Sequence, residues 1–293
     1  MNVLDALDRY LVQLEADGRS PHTIGQYRRH VRLLASWLSA EGHSADLRDL
    51  DHEVLARFLA SPAARNRPDG VTKRATSTNA LRSSMRTFFA WVHAAGYVGA
   101  NPARLVRRAR CGSPPPRALS EDEQRRLLEV LDRGDGPEAQ RDHVLFATML
   151  ATGIRVGSTV ALGVEDVDLD AGVLYLRTAK GDQPERVFLS RGIVGHLRRF
   201  IGERTDGPLF PSRSGRAMTT RHVNRRLQRW LKAAGIERPA SPHSLRHSFA
   251  RDLYRRCRDV LLVKEALRHR SIVSTLVYAQ VDEERLRRAI GAP

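Results

Sequence analysis

Three consecutive prolines divide the chain into two parts. The segment CGSPPPRALS at Cys111–Ser120 contains all three of them. Proline restricts φ and has no backbone N–H, so such a run forms an extended, semi-rigid connector. The 293 residues are enough for two domains, at roughly 100–200 residues each. We therefore predict a first domain over residues 1–108, a linker over 109–119 and a second domain over 120–293.

The charge of the chain indicates a polyanionic partner. Lysine and arginine number 49 against 33 acidic residues, a formal net charge of +16. Such an excess attracts nucleic acid, and composition alone leaves association with the ribosome as the alternative. Four of the basic residues are lysines: Lys73, Lys180, Lys232 and Lys264. Lysine, unlike arginine, can give up its proton, so a retained lysine is a candidate for proton transfer.

Several other classes of protein do not fit the sequence. The two cysteines, Cys111 and Cys257, match neither a disulfide framework nor a zinc site. The acidic, amphipathic N-terminal segment is unlike a signal peptide. The apolar stretch Val144–Val164 contains Arg155, and a central arginine costs about 2.5–3.5 kcal/mol on membrane insertion. We expect no membrane span, and no carboxylate cluster resembles a two-metal site, so we expect no metal; we also expect no cofactor.

The first part of the chain has the pattern of helices. Ser20 and Pro21 form a helix start, with a capping side chain followed by the favoured first-turn proline. A second helix is predicted from about Asn79 to Ala95, and the polar segment Asn66–Ser77 is predicted as a loop. The first helix has apolar residues at three- and four-residue spacing, which predicts a core-facing stripe: Ile24, Tyr27, Val31, Leu34 and Leu38.

The second part mixes helices with a small sheet. Ser120 and Glu123 form a capping box, a helix start. Val173–Thr178 and Arg186–Leu189 have the composition of strands, and the turn-rich connector between them predicts a β-hairpin with Lys180 near its tip.

A strongly basic helix is predicted over Thr220–Ala234, and short helices are predicted from Ser241 onward. The basic helix is our candidate for contact with a nucleic-acid groove and backbone, and a solvated amphipathic face is the alternative. Its cations are Arg221, Arg225, Arg226, Arg229 and Lys232.

Four polar residues of the second part stand at structurally distinctive positions. Arg155 follows a Thr-Gly break between two apolar helical segments, and Lys180 lies on the predicted hairpin. His243 and Arg246 are three residues apart just after a helix start, which places both on one helix face. Three of them also have a structural interpretation: Arg155 as an arginine paired with a buried carboxylate, Lys180 as a solvated turn lysine, and His243 as a packed histidine at a helix start.

Two further residues complete the set. His269 is predicted to end a helix, and Tyr278 follows nine residues later. Taken alone, Tyr278 next to Leu276 and Val277 is by default a half-buried core tyrosine with its hydroxyl at the surface.

Together these segments resemble the tyrosine recombinase, or phage integrase, family, particularly its Xer-like members. The first arginine of that family follows a turn like ATGIR, which ends here at Arg155. Its H-x-x-R box corresponds to PHSLRHSFA, and its closing pattern of a histidine followed nine residues later by a tyrosine corresponds to LRHRSIVSTLVY. Lesser matches are LFPSRSG at Leu209–Gly215 and SPHTIGQYRRH near the N-terminus. The likeness spans nearly the whole chain in the order of the family.

The resemblance implies a mainly α fold with a small antiparallel β-sheet in the catalytic domain. A SAM-like helical core-binding domain and an integrase-type catalytic domain would form a two-domain clamp around double-stranded DNA. The implied activity is site-specific recombination through a 3′-phosphotyrosyl intermediate, without metal. Four copies, or copies with a related recombinase, would assemble on two DNA sites in the cytoplasm, associated with the nucleoid. The charged tail Asp282–Ile290 would pack on a neighbouring protomer or fold back on its own.

The resemblance also assigns roles to single residues. Arginine binds phosphate bidentately and keeps its charge, which suits two arginines to a phosphate clamp. A free tyrosine has a pKa of about 10, so a base or a positive pocket must help it to ionise. The implied roles are nucleophile for Tyr278, phosphate clamp for Arg155 and Arg246, general base for His243, general acid for Lys180 and transition-state support for His269.

The sequence departs from the family pattern at Ser158. The family usually places an acidic residue there, three positions after the first arginine. The candidates for orienting Arg155 in its place are Glu165, Asp166 and Asp168.

Three alternative functions share some of these features. A type IB topoisomerase has the same chemistry but relaxes supercoils without a specific site. A catalytically silent relative would bind DNA without forming a covalent adduct. A transcriptional regulator that uses only the basic helix would leave the ordered occurrence of Arg155, Lys180 and Tyr278 unexplained.

Overall fold

The computed structural model describes residues 1–109, 111, 117–177, 185–268 and 271–278. The chain divides into two compact units, Met1–Ser113 and Pro114–Pro293. Most of the predicted proline linker lies outside the described residues, and so do Lys180, His269 and the tail Asp282–Ile290.

The first unit is helical, as predicted. Helix α2 begins where Ser20 and Pro21 indicate, and the Ser20 hydroxyl accepts a hydrogen bond from the backbone N–H of Thr23 at 3.2 Å. The predicted stripe of α2 is buried in the core of this unit, except that Tyr27 is half-buried. The helices are α1 Val3–Ala16, α2 Pro21–Ala40, α3 His52–Ala60, α4 Pro62–Arg65 and α5 Ala75–Ala94, with a 3₁₀ turn at Leu47–Asp49.

Helix α5 begins earlier than the sequence predicts. It starts at Ala75, so the end of the predicted loop Asn66–Ser77 is helical, and Asn79 lies inside the helix. The buried side-chain amide of Asn79 donates to the Ala109 carbonyl at 3.0 Å and accepts from the Ala109 N–H at 2.7 Å. Asparagine is common at helix starts because its side chain bonds the unpaired backbone N–H groups of the first turn. Here the Asn79 side chain instead bonds the backbone of Ala109, 30 residues later.

The second unit contains eight helices among its described residues. The predicted capping box is present: the Ser120 N–H donates to Glu123 Oε2 at 2.7 Å, and the Glu123 N–H donates to Ser120 Oγ at 3.1 Å. The bounds are α6 Glu121–Asp132, α7 Pro137–Thr152, α8 Val156–Ala161, α9 Arg191–Ile201, α10 Thr220–Ala233, α11 Pro242–Cys257, α12 Val260–Leu267 and α13 Val273–Leu276, with a 3₁₀ turn at Val164–Asp166.

Helix α11 differs from the prediction of short helices after Ser241. It runs for 16 residues and packs against α7. Its apolar periodicity is weak because polar side chains such as Ser244, Arg246 and Ser248 occupy buried positions. Hydrophobic spacing therefore underestimates the length of this helix.

A three-stranded antiparallel sheet completes the second unit. Its strands are β1 Val167–Asp168, β2 Val173–Leu176 and β3 Glu185–Phe188, in the order β1-β2-β3. Leu174 of β2 lies opposite Val167 on one side and Val187 on the other. The two-residue strand β1 is too short to show an alternating pattern in the sequence. The mainly α fold with a small antiparallel sheet is confirmed, and within the described residues no helix is long and apolar enough to cross a membrane.

A buried ionic network joins α7 to α10. The Asp142 carboxylate on α7 is completely buried and accepts from Arg141 Nη2 at 2.7 Å and from Arg226 Nε at 2.5 Å. It also accepts from the Trp230 indole at 2.8 Å, while Arg141 Nη1 reaches the Pro211 carbonyl at 3.0 Å. A buried carboxylate is stable only when paired and fully hydrogen-bonded. Asp142 therefore sets the position of α10.

We predict that Asp142→Asn lowers the free energy of unfolding by about 3–5 kcal/mol, because it leaves two arginine side chains without their shared counter-charge in the interior. Urea denaturation measures this. Asp170→Asn, which breaks an ion pair between the exposed side chains of Asp170 and Arg198, is the control and should change stability little. A loss as small as that of the control would contradict the proposed anchoring role.

Candidate active site

Arg246 is the most buried of the predicted site residues that the structure describes. Its side chain lies on α11 and the residue is 3% exposed. Nη1 donates to the Gly153 carbonyl at 2.5 Å, and Nη2 donates to the Leu267 carbonyl. One guanidinium therefore joins the C-terminal ends of α7 and α12. Guanidinium has five N–H donors, so these bonds leave others for an anion.

Arg155 lies beside this arrangement, at the start of α8. Helix α7 ends at Gly153, which has a left-handed φ of +63°, and the chain then re-enters a helix at Val156. Arg155 is exposed, and its Nη2 donates to the Arg268 carbonyl at 3.3 Å. The Thr-Gly break thus places Arg155 next to the end of α12.

The three carboxylates considered as partners of Arg155 have other contacts. Glu165 and Asp166 accept hydrogen bonds from Arg177, at 3.0 and 2.6 Å. Asp168 accepts from backbone N–H groups of its own turn. Among the described residues, the group that holds Arg155 is a backbone carbonyl, and none of these three carboxylates is hydrogen-bonded to it. The half-buried Ser158 lies within α8.

Arg268 provides that carbonyl and also ties strand β3 to the site. Its Nε lies 3.3 Å from Glu185 Oε2, and its Nη2 donates to the Arg186 carbonyl at 3.0 Å. Arg268 has a left-handed φ of 52°, which is unfavourable for a residue with a side chain. Its ionic and hydrogen-bonding contacts hold it there. Sequence analysis did not single out Arg268, although it lies directly before the predicted site residue His269.

The positive charges in this region oppose one another. Burial and the neighbouring charges of Arg155 and Arg268 lower the pKa of Arg246 to about 10. Burial and the charge of Arg155 also lower the pKa of Arg268, against the opposing effect of Glu185. An anion bound between these guanidinium groups would remove the repulsion, so the arrangement suits a phosphate.

Two histidines follow each other on α11. His243 is exposed at the first turn, and partial burial of its ring together with the charges of Arg246 and Arg155 lowers its pKa. His247 lies one helical turn further, and the two ring centroids are 4.5 Å apart. A histidine with a lowered pKa is neutral at pH 7 and therefore able to accept a proton.

Tyr278 lies against the same helix. It is 8% exposed and packs in a small apolar cluster with Ala250, Val263 and Leu267. Its hydroxyl is hydrogen-bonded to Nδ1 of His247. Burial raises the pKa of Tyr278 to about 12, although the charge of Arg246 acts in the opposite direction.

The structure thus brings together Arg155, His243, Arg246 and Tyr278, and adds His247 and Arg268. His247 was missed although it stands four residues after His243, a spacing that places both on one helix face. Lys180 and His269 lie outside the described residues.

The basic helix α10 presents a row of free cations. Arg221, Arg225, Arg229 and Lys232 recur at three- and four-residue spacing and are exposed, and no acidic side chain within the described part of the chain pairs with them. Arg226 was predicted to belong to this group, but it points into the network of Asp142 and Glu138 and its side chain is 12% exposed. We call the four free cations the basic stripe. Within the same described residues, no group of three or more metal-ligating side chains comes together.

Comparisons with known proteins match both units. A model of the phage integrase family matches residues 117–285, and a model of the phage integrase N-terminal SAM-like domain matches residues 7–96. The chain is 30% identical to tyrosine recombinase XerC of Neisseria gonorrhoeae, over 96% of this chain and 92% of that protein. It is 32% identical to tyrosine recombinase XerD of Ralstonia nicotianae, over 92% and 87% of the two chains.

A solved structure has the same fold. The integrase of transposon Tn1549, in complex with a circular intermediate DNA, superimposes with a TM-score of 0.77 and covers 99% of both chains. Sequence identity is 17%, so this likeness concerns the fold alone.

We predict that Gly153→Ala destabilises the second unit by more than about 1 kcal/mol, because a Cβ at this left-handed position is strained and would overlap the Phe249 ring. Gly157→Ala is the matched control: nothing lies within 4 Å of its added Cβ, and alanine favours the helix there. Thermal or urea unfolding measures both variants. Equal stability of the two would show that the α7–α8 junction does not need glycine.

Proposed function

The chain belongs to the phage integrase family of tyrosine recombinases, and we propose that Tyr278 is the nucleophile with which it attacks DNA phosphate. This family cleaves and rejoins DNA at specific sites through a tyrosine, and that is the activity of this enzyme. The relatives are recombinases, which does not favour a topoisomerase or a silent DNA-binding protein. One observation supports Tyr278 as the nucleophile: its hydroxyl is hydrogen-bonded to a residue of α11, the helix that carries Arg246 and His243.

Arg155 and Arg246 act as the phosphate clamp in this proposal. Attack on a phosphodiester increases charge on its non-bridging oxygens, and guanidinium groups stabilise that charge. Arg246 keeps its charge at neutral pH because its pKa, although lowered, is about 10. Arg155 is the exposed member of the pair, so its guanidinium is accessible to a DNA phosphate.

Ionisation of Tyr278 is the energetic difficulty of the reaction. With a pKa of about 12, about one molecule in 10⁵ is phenolate at pH 7, equivalent to roughly 7 kcal/mol. A bound phosphate cannot supply this free energy, because its negative charge disfavours a phenolate beside it. A base must take the proton as the oxygen attacks. The family resemblance makes His243 a candidate for that base, and its lowered pKa keeps it neutral.

Lys180 and His269 complete the proposed chemistry. The Tyr278 oxygen bonds to phosphorus while the bond from phosphorus to the 5′-oxygen breaks, and Lys180 donates the proton that makes this oxygen a hydroxyl. His269 supports the transition state. The 3′-phosphotyrosyl bond preserves the phosphodiester energy, so a 5′-hydroxyl of another strand can reverse the step and rejoin the DNA.

DNA binding involves both domains in this proposal. Residues 1–108 form the core-binding domain, 109–119 the linker and 120–293 the catalytic domain, and together they surround the duplex. The basic stripe on α10 contacts the phosphate backbone, where cations give affinity without sequence preference. Exposed cations off the core-facing side of α2, at Arg28, Arg29 and Arg32, are available in the first domain.

Assembly follows from the same family resemblance. Four protomers, with or without a related recombinase, bring two DNA sites together, and the tail Asp282–Ile290 packs on a neighbouring protomer or folds back on its own. The enzyme acts in the cytoplasm on nucleoid DNA.

We predict that Tyr278→Phe abolishes the covalent adduct with a nicked suicide DNA substrate while DNA affinity stays within about twofold, because only the nucleophilic oxygen is lost. Denaturing gels detect the adduct and mobility shifts measure binding. Tyr254→Phe, on α11, is the matched control and should form adduct normally. An adduct that persists in Tyr278→Phe would exclude this residue as the nucleophile.

The basic stripe gives a second prediction. If the enzyme neutralises about six phosphates, the logarithm of the binding constant should fall with that of salt at a slope of about −5. Combining Arg225→Ala with Arg229→Ala should reduce the magnitude of the slope by about 2. Arg125→Ala is the control, because Asp122 and Glu129 already pair with that side chain. An unchanged slope in the double variant would remove α10 from the interface.

A further inference from the structure

The hydroxyl of Tyr278 contacts a histidine other than the predicted base. It is hydrogen-bonded to Nδ1 of His247, and the two rings are 5.6 Å apart between centroids. His247 is half-buried on α11, directly after Arg246. We propose that His247 holds the Tyr278 oxygen before cleavage and accepts its proton as that oxygen attacks phosphorus. This inference rests on the proposed role of Tyr278 as the nucleophile.

The geometry favours His247 over His243 for this proton transfer. A general base must lie within hydrogen-bond distance of the proton that it removes. His247 meets this condition, whereas among the described residues no hydrogen bond joins His243 to the Tyr278 hydroxyl, and the His243 ring contacts the His247 ring instead. The charges of Arg155 and Arg246 both act on His243. That position beside the clamp suits His243 to contact a phosphate oxygen.

The proton transfer is balanced in both directions. Nδ1 receives the hydrogen of the phenol while the oxygen bonds to phosphorus, which leaves an imidazolium beside a phosphotyrosine. When a 5′-hydroxyl attacks in the rejoining step, the same nitrogen returns the proton to the departing tyrosine. The step requires the tautomer with hydrogen on Nε2, so that Nδ1 has a free lone pair.

The surroundings explain why a direct acceptor is needed. Tyr278 packs among Ala250, Val263 and Leu267, and water has little access to its ring. Little bulk solvent is therefore available to take the proton of this phenol. The hydrogen bond to His247 supplies an acceptor that moves with the helix carrying Arg246, so the base and the clamp keep their relative position.

His247→Asn separates proton acceptance from positioning. Asparagine places a polar atom close to the position of Nδ1 and keeps a hydrogen bond, but it has no basic nitrogen. We expect single-turnover cleavage of a suicide substrate to slow by about 10²–10⁴-fold, the usual contribution of a general base. DNA affinity and melting temperature should stay near those of the parent. His243→Asn is the matched control on the same helix face.

A more acidic nucleophile makes the test specific. Ring-fluorinated tyrosine incorporated at position 278 needs less help from a base, so it should restore much of the cleavage lost in His247→Asn. It should not restore His243→Asn to the same extent. If His247→Asn lowers the melting temperature by several degrees, His247→Gln replaces it in the same comparison.

Three results would overturn the inference. These are cleavage by His247→Asn within about threefold of the parent rate, a slow rate that fluorination leaves unchanged, and rescue confined to His243→Asn. None of them bears on the nucleophile itself. Loss of the adduct in Tyr278→Phe tests that role separately, so failure of this inference is distinguishable from failure of the proposed function.

Discussion

The buried guanidinium of Arg246 joins segments that are far apart in the chain. By bonding the carbonyls of Gly153 and Leu267, it holds the end of α7 and the end of α12 against α11. Arg155 starts the helix after α7, and its own bond to the carbonyl of Arg268 closes the arrangement. Without this guanidinium, the two carbonyls would lose a charged hydrogen-bond donor in the interior, where such bonds are strongest. We call this arrangement of α7, α11 and α12 around Arg246 the frame of the site, because it carries the other site residues.

That frame concentrates positive charge at some cost. Burial and mutual repulsion lower the pKa of Arg246, and the same surroundings favour an anion that would neutralise the repulsion. The burial that covers Arg246 also covers Tyr278 and disfavours its phenolate. Burial therefore suits the site to phosphate and also makes the proposed nucleophile, Tyr278, harder to ionise. In the proposed mechanism, the hydrogen bond from Tyr278 to His247, on the helix that carries Arg246, supplies the acceptor for the tyrosine proton.

Motif spacing in the sequence pointed to Arg155, Arg246 and Tyr278: Arg155 follows a helix break, Arg246 lies just after a helix start, and Tyr278 stands nine residues after His269. It was not enough to tell similar residues apart. Five cations on α10 look alike in sequence, yet Arg226 turns inward because Asp142, 84 residues earlier, is buried beside it. Periodicity, caps and turns are local, so they predicted the helices, the hairpin strands and the capping box. Partners that meet only in the folded chain, such as His247 with Tyr278, were missed for that reason.

The central claim is that Tyr278 forms the covalent bond to DNA, and locating that bond by mass spectrometry tests it most directly. The adduct trapped on a suicide substrate is digested with nuclease and trypsin, which leaves a nucleotide on one peptide. Trypsin cuts after Arg270 and Arg285, so the account predicts the nucleotide on Ser271–Arg285, with fragmentation placing it on the tyrosine. A nucleotide on any other residue, including the serines or threonine of that peptide, would contradict it.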